Sequence, residues 1–189
     1  MLENLLDLVK QQAGEAIVNN PAIPNHQNDA AIAEASGSIA GGLQDLFSQQ
    51  GGLKDIMKMF GGQDQGAATN NITQHLSGGL VQNLMSKFGL DSQSAGSIAG
   101  SLIPGVLSNL VSKTNDPNDS SFSLQNIFNS FSGGQTSGMD IAGLMSKLKS
   151  GALDLDGDGD TDLQDIMLMM SKSGGAGGIL NKLKGFFGN

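Results

Sequence analysis

Six aspartates fall within the twelve residues Asp154–Asp165, at positions 1, 3, 5, 7, 9 and 12 of that stretch, with Gly159 at position 6. Carboxylate oxygens at this spacing suit a hard divalent cation, which takes six to eight oxygen ligands in a flexible loop. Asp154, Asp156 and Asp158 would supply side-chain oxygens, Asp160 its backbone carbonyl, Asp162 a water-mediated contact and Asp165 the closing carboxylate. Gly159 sits where the chain must bend sharply at positive φ, a conformation glycine adopts without a Cβ clash. So many like charges in one short stretch repel one another unless a cation lies between them. Calcium is the expected ion, because magnesium demands stricter octahedral geometry and gives up its waters reluctantly.

The pattern is that of an EF-hand loop, with two departures. Position 12 is Asp165 rather than Glu, which shortens the bidentate arm and lowers affinity. Position 8 is Thr161 rather than Ile or Val, which weakens pairing with a second loop, and the chain offers no second loop: Pro117 and the spacing defeat Lys113–Ser121. A lone loop closed by Asp resembles the calcium loop of dockerin modules, although the surrounding chain does not resemble a dockerin. The expected Kd is roughly 10⁻⁶ to 10⁻³ M. The competing readings are an ion-free, solvated acidic turn and the aspartate nucleophile of haloacid-dehalogenase-like phosphatases. The second needs a buried strand before the motif and a hydroxyl where Asp158 stands, and neither is present.

Other side chains offer little chemistry. The chain has no Cys, which excludes disulfides, thiolate zinc sites and cysteine nucleophiles. His26 in a Pro-rich connector and His75 on a polar helix flank read as surface residues, with no paired ligand at metal spacing. No Gly-x-Ser-x-Gly follows a strand. All ten cationic residues are Lys, and the net charge is −8. Without Arg, the preferred residue for bidentate phosphate and base recognition, and with an acidic balance, nucleic-acid binding is not expected. The chain reads as a non-enzyme. No signal-peptide pattern opens the sequence, since Glu3 and Asp7 interrupt its apolar run, and no stretch reads as a transmembrane helix. A cytoplasmic location is the expectation.

The elements that must position the loop read as helices. Leu2, Leu5, Leu6, Val9, Ala13, Ala16 and Ile17 recur at three- and four-residue steps. Further stripes run through Ile32, Ile39, Leu43, Leu46 and Phe47, through Ile72, Leu76, Leu80, Leu84 and Phe88, and through Ile98, Leu102, Val106, Leu107 and Leu110. The uncharged run Ser92–Ser112, with Pro104 inside it, reads as a helical hairpin or a kinked helix. No run alternates with period two beside turn signals, so strands are not expected. Loops are expected at Asn19–Asn25, Gly61–Asn71, Lys113–Ser121, Ser132–Gly138 and Ser173–Gly178.

Two repeats stand out. Ser36–Leu43 (SGSIAGGL) recurs as Ala95–Leu102 (AGSIAGSL), each with a glycine pair four residues apart that would let a neighbouring backbone come close. A shorter unit occurs three times, as LKDIMKMF from Leu53, LQNIFNSF from Leu124 and LQDIMLMM from Leu163. Its apolar residues fall at steps zero, three, four and seven, and a glycine stop follows. The expected fold is an all-α multihelical bundle built from duplicated helical units, with a single EF-hand-like loop near the C-terminus. Three segments follow from this: 1–62, a divergent helical copy; 63–135, a second helical unit; and 136–189, the loop and an amphipathic tail.

In that tail Ile179, Leu180, Leu183, Phe186 and Phe187 share a helical face opposite Lys182 and Lys184. It would close the core, dock on a partner or lie on a membrane surface, with core closure the preferred reading. The run Phe88–Lys113 followed by LDLDGDGDTDLQDIM and a Gly-rich tail resembles the bacterial YidB-like family of unknown function. That resemblance covers roughly Asn70 to the C-terminus and implies an all-α fold and no established activity. The functional expectation is a calcium-binding interaction or structural module whose C-terminal helix is ordered by the ion. Self-assembly and peripheral membrane association are the alternatives.

Overall fold

The computed structural model describes residues 2–62, 66–116, 119, 122–134, 136–138 and 140–149. The protein is all-α: the described residues form seven α-helices and no strand. They are α1 (Leu2–Ala13), α2 (Asn28–Ser48), α3 (Gln50–Gly61), α4 (Ala67–Phe88), α5 (Ser92–Thr114), α6 (Leu124–Phe131) and α7 (Ile141–Lys149). A π-helical turn, Gly14–Val18, carries α1 onward, and a 3₁₀ turn, Asn25–Gln27, leads into α2.

The four longer stripes bury most of the residues their spacing nominates, with Leu6 and Phe88 only partly buried. Leu5, Val9, Ala13, Ala16 and Ile17 are buried, and Leu8 joins them. In α2 the buried set includes Ile32, Ile39, Leu43, Leu46 and Phe47, and in α4 it includes Ile72, Leu76, Leu80 and Leu84. Each Leu, Ile, Val or Phe side chain so removed from water contributes roughly 1.5–3 kcal/mol before entropy is counted. Helix α1 packs on α2 and α5, and α4 packs on the same two, so the four close a ring around the core. Helix α3 lies against α2 and α4, α6 lies against α2, and α7 joins α3 and α6. Apolar residues from Leu5 to Met145 form one continuous cluster.

Polar contacts fix α4 in this ring. Near its C-terminal end Lys87 Nζ lies 2.6 Å from Glu34 Oε2, and Asn83 donates to Ser38 Oγ at 2.8 Å, both across to α2. Near its start Asn71 donates to Asp55 Oδ2 of α3 at 3.0 Å. The exposed Lys87–Glu34 and Asn71–Asp55 contacts orient more than they stabilise.

The two copies of the longer repeat lie in α2 and α5 and bury the same positions. Ser36, Ile39, Ala40 and Leu43 are buried in one, and Ala95, Ile98, Ala99 and Leu102 in the other. For the run from Ser92 the structure decides between the two expected forms: it is one helix with Pro104 inside it, not a hairpin. Pro104 has no N–H to donate to the carbonyl of Gly100, four residues earlier, and Gly100 is an exposed residue. The expectation for the glycine pairs is corrected, since they do not admit a neighbouring backbone: a Cβ built on Gly37, Gly41, Gly96 or Gly100 meets nothing within 4 Å. Close approach occurs at other glycines. A Cβ on Gly42 would stand 2.5 Å from Leu76 Cδ2 of α4, and one on Gly52 2.5 Å from the Leu46 carbonyl oxygen.

Loops are shorter than the glycine and asparagine clusters suggest. Helix α4 already begins at Ala67, inside the expected loop Gly61–Asn71, and α5 runs on to Thr114. By length and composition α5 is the one helix among the described residues that would suffice to cross a membrane, contrary to the sequence reading. In the bundle its apolar side chains, Ile98, Leu102, Ile103, Val106 and Leu107 among them, are buried.

Candidate functional site

The aspartates Asp154, Asp156, Asp158, Asp160, Asp162 and Asp165 lie outside the described residues, as do the third short unit from Leu163 and the tail Ile179–Phe187. What the structure does describe is the other two short units and the helix that leads toward the loop.

Both described units are amphipathic helices with a glycine stop. In α3, Ile56, Met57 and Phe60 are buried with Leu53 packed beside them; in α6, Ile127, Phe128 and Phe131 are buried beside Leu124. Helix α3 stops at Gly62, whose φ of 72° is left-handed, and α6 is followed by Gly133 at φ 63°. A side chain with a Cβ resists that conformation, so the glycine ends the helix. The two units meet through aromatic rings. Phe47 of α2 stands 5.0 Å from Phe128 edge-on and 5.9 Å from Phe131 in a stacked arrangement, while Phe60 and Phe128 are 6.4 Å apart. Edge-on and offset arrangements suit the ring quadrupoles.

Beyond α6 the chain makes a tight polar turn. Ser132 Oγ and Thr136 Oγ1 are 3.1 Å apart, and Thr136 N donates to Ser132 Oγ at 3.2 Å, so both buried hydroxyls are satisfied. Gln125 then ties α6 to α7: its Oε1 accepts from Ile141 N at 3.2 Å and its Nε2 donates to the Thr136 carbonyl at 3.4 Å. Asp140 caps α7, accepting from Gly143 N at 2.8 Å. Helix α7, not anticipated from sequence, sits immediately before the Asp-rich loop and rests on α3 and α6 through buried Ile141 and Met145. Its signals are legible in retrospect: Asp140 in the capping position, then Ile141, Leu144 and Met145 at helical steps.

A cleft of about 460 Å³ opens beside this turn, lined by Gln125, Asn126, Asn129, Ser137, Gly138 and Asp140. Its walls hold carboxamides, one hydroxyl and one carboxylate, and no imidazole or thiol stands among them to activate Ser137. Among the described residues no three of His, Cys, Asp and Glu are grouped to hold a metal ion. His26 and His75 are both exposed and apart from any such group. Asp91 is the N-cap of α5. Hydrogen bonds from the Ser94 backbone N–H, then from the Ser94 hydroxyl, hold its carboxyl below the usual carboxylate range.

Compared with family models, with curated proteins and with solved structures, the chain matches none.

Proposed function

We propose that the chain is a non-enzymatic calcium-binding helical protein, an interaction or structural module whose C-terminal helix is ordered by the ion. The spacing of Asp154, Asp156, Asp158, Asp160, Asp162 and Asp165 around Gly159 carries this reading. It draws support from the short units. Units α3 and α6 bury steps three, four and seven of their pattern, and the unit from Leu163 has Ile166, Met167 and Met170 at those steps. The ion loop overlaps its first residues, so closing the loop fixes the start of that helix and presents its apolar face to the helical body or to a partner.

The proposal extends to ancestry. Exchanging α1–α2 with α4–α5 maps the ring of four helices onto itself, whereas α3 packs on α2 and α4 without a comparable packing of α6 on α5 and α1 among the described residues. With the matching burial in α2 and α5, this favours duplication of a two-helix unit, α1–α2 and α4–α5. Kinship with YidB-like proteins rests on the run Phe88–Lys113 and the Asp-rich loop. The absence of Cys suits a reducing compartment, which favours the cytoplasm.

Calorimetric titration tests the ion. The native chain should bind one calcium with Kd roughly 10⁻⁶ to 10⁻³ M, and a variant carrying Asp154→Ala and Asp158→Ala should give no binding heat. Equal heats from both proteins would sink the assignment.

A further inference from the structure

We infer that the outer face of α4 and α5 is a self-association surface whose partner is a second copy of this chain. The inference does not depend on the calcium reading. Helix α4 from Ala67 to Ser86 contains no Asp, Glu or Lys, and α5 contains none from Ser92 to Ser112. The two helices are neighbours in the ring. Together they present a two-helix panel whose exposed residues are Gly, Ser, Asn and Gln, with Ala67, His75, Pro104 and a single large apolar side chain, Met85; the charged residues Lys87 and Asp91 stand at its Met85 end. The outer sides of α1 and α2 differ, carrying Glu3, Asp7, Lys10, Asp29 and Asp45 at exposed positions. A chain of net charge −8 repels its own copies, and on this panel the exposed carboxylate is Asp91 at the edge, where the exposed Lys87 stands nearby in sequence to offset it. Depletion of charge is also what distinguishes the centre of protein interfaces.

The relief of the panel is self-complementary. Met85 is 40% exposed, one of two large apolar side chains so exposed among the described residues. Helices α4 and α5 are joined by the short link Gly89–Asp91, so they run antiparallel, with Met85 and Val81 level with Gly96 and Gly100. A Cβ on Gly78, Gly96 or Gly100 would meet nothing within 4 Å, so nothing inside the protomer requires glycine at these helical positions, where alanine is the better helix former. A two-fold axis through the panel would place each Met85 knob in the other copy's glycine notch, as an isologous interface requires. Methionine adapts well to such a notch. Two helices about 33 Å long and packed about 10 Å apart offer on the order of 650 Å² per copy. The total of about 1,300 Å² lies at the lower end of stable interfaces.

Sedimentation of the full chain in EDTA, from micromolar to millimolar concentration, tests the inference. The native protein should shift from monomer to dimer across that range. Gly96→Ala with Gly100→Ala should raise the dimer Kd by ~10-fold or more while raising the Tm of the dilute monomer, a pairing of effects that a folding defect cannot give. Met85→Lys, a change at an exposed position, should leave the monomer fold intact by circular dichroism and abolish the dimer. A native chain that stays monomeric throughout, or a dimer that both variants form as well as the native protein, overturns it. A monomer that instead floats with phosphatidylcholine vesicles, and loses that with Met85→Lys, also overturns it and assigns the face to a lipid surface.

Discussion

Asp91 does its work as an ion. Its carboxylate accepts from Ser94 N at 2.9 Å and from Ser94 Oγ at 2.8 Å, satisfying one of the donors that every helix start leaves unpaired. Those bonds favour the charged form, so the folded-state pKa lies below the ordinary 3.8. A depressed carboxylate pKa contributes stability that is fully present above the unfolded value and is lost as pH falls through the folded value. Asp91→Ala should therefore lower the Tm at neutral pH, and its deficit against the native chain should shrink as the medium is acidified below about pH 3.8. Asp91→Asn keeps the capping geometry without the charge, so its Tm should lie between the two at pH 7, and, like Asp91→Ala, it should lack the acid-range loss of stability that titration of Asp91 gives the native chain. Thermal melts across the acid range check this; a deficit in Asp91→Ala that is constant down to pH 2 would remove the ionic part of the cap.

Glycines set the shape of the elements, and sequence alone mistook which of them do so. The Gly37/Gly41 and Gly96/Gly100 pairs have the spacing of a helix-contact motif, yet all four face open space. Spacing shows which residues share a face, but not whether that face is turned toward a neighbour. The apolar stripes carry that second piece of information, because burial is what they contribute. That is why Ile72, Leu76, Leu80 and Leu84 were legible as core while the glycine contacts were not. Helix ends were legible where glycine must take a left-handed conformation, at Gly62 and Gly133, and illegible at Ala67, where packing of Ile72 and Ala68 extends α4 through a polar, glycine-flanked stretch. The difference yields opposite signs for one substitution. Gly37→Ala, in open space on α2, should raise stability by about 0.5–1 kcal/mol through helix propensity. Gly52→Ala would drive a Cβ against the Leu46 carbonyl and Cα, backbone atoms that cannot swing away, and should cost about 1–3 kcal/mol. Urea melts of the two variants check it, and equal midpoints would mean that the α2–α3 corner yields more readily than its packing implies.

At the scale of the whole molecule the question is how calcium would speak to the bundle. The candidate ligands are nominated by residue type and spacing alone; their placement relative to α7 depends on packing that spacing does not encode. Among the described residues, one core runs from Leu5 to Met145, and α3, α6 and α7 pack together beside the ring of α1, α2, α4 and α5. Asp154 follows Lys149, the last residue of α7, by only five positions, so ion binding on the proposed reading acts first on the unit from Leu163. Binding to the folded form alone stabilises the unit that unfolds with the site by about 2.7 kcal/mol at ~100 times Kd. If that unit is the Leu163 helix and its loop, amide exchange across residues 163–170 should slow by up to ~100-fold in saturating calcium, while exchange at Ile98, Leu102 and Leu110 in α5 stays at its EDTA rate. Hydrogen exchange read by mass spectrometry separates the cases. Slowing of both regions together would make the loop and bundle one cooperative unit, in which case the global Tm should rise with calcium as well. No slowing in 163–170, with calcium bound by calorimetry, would leave the ion bound without ordering that helix.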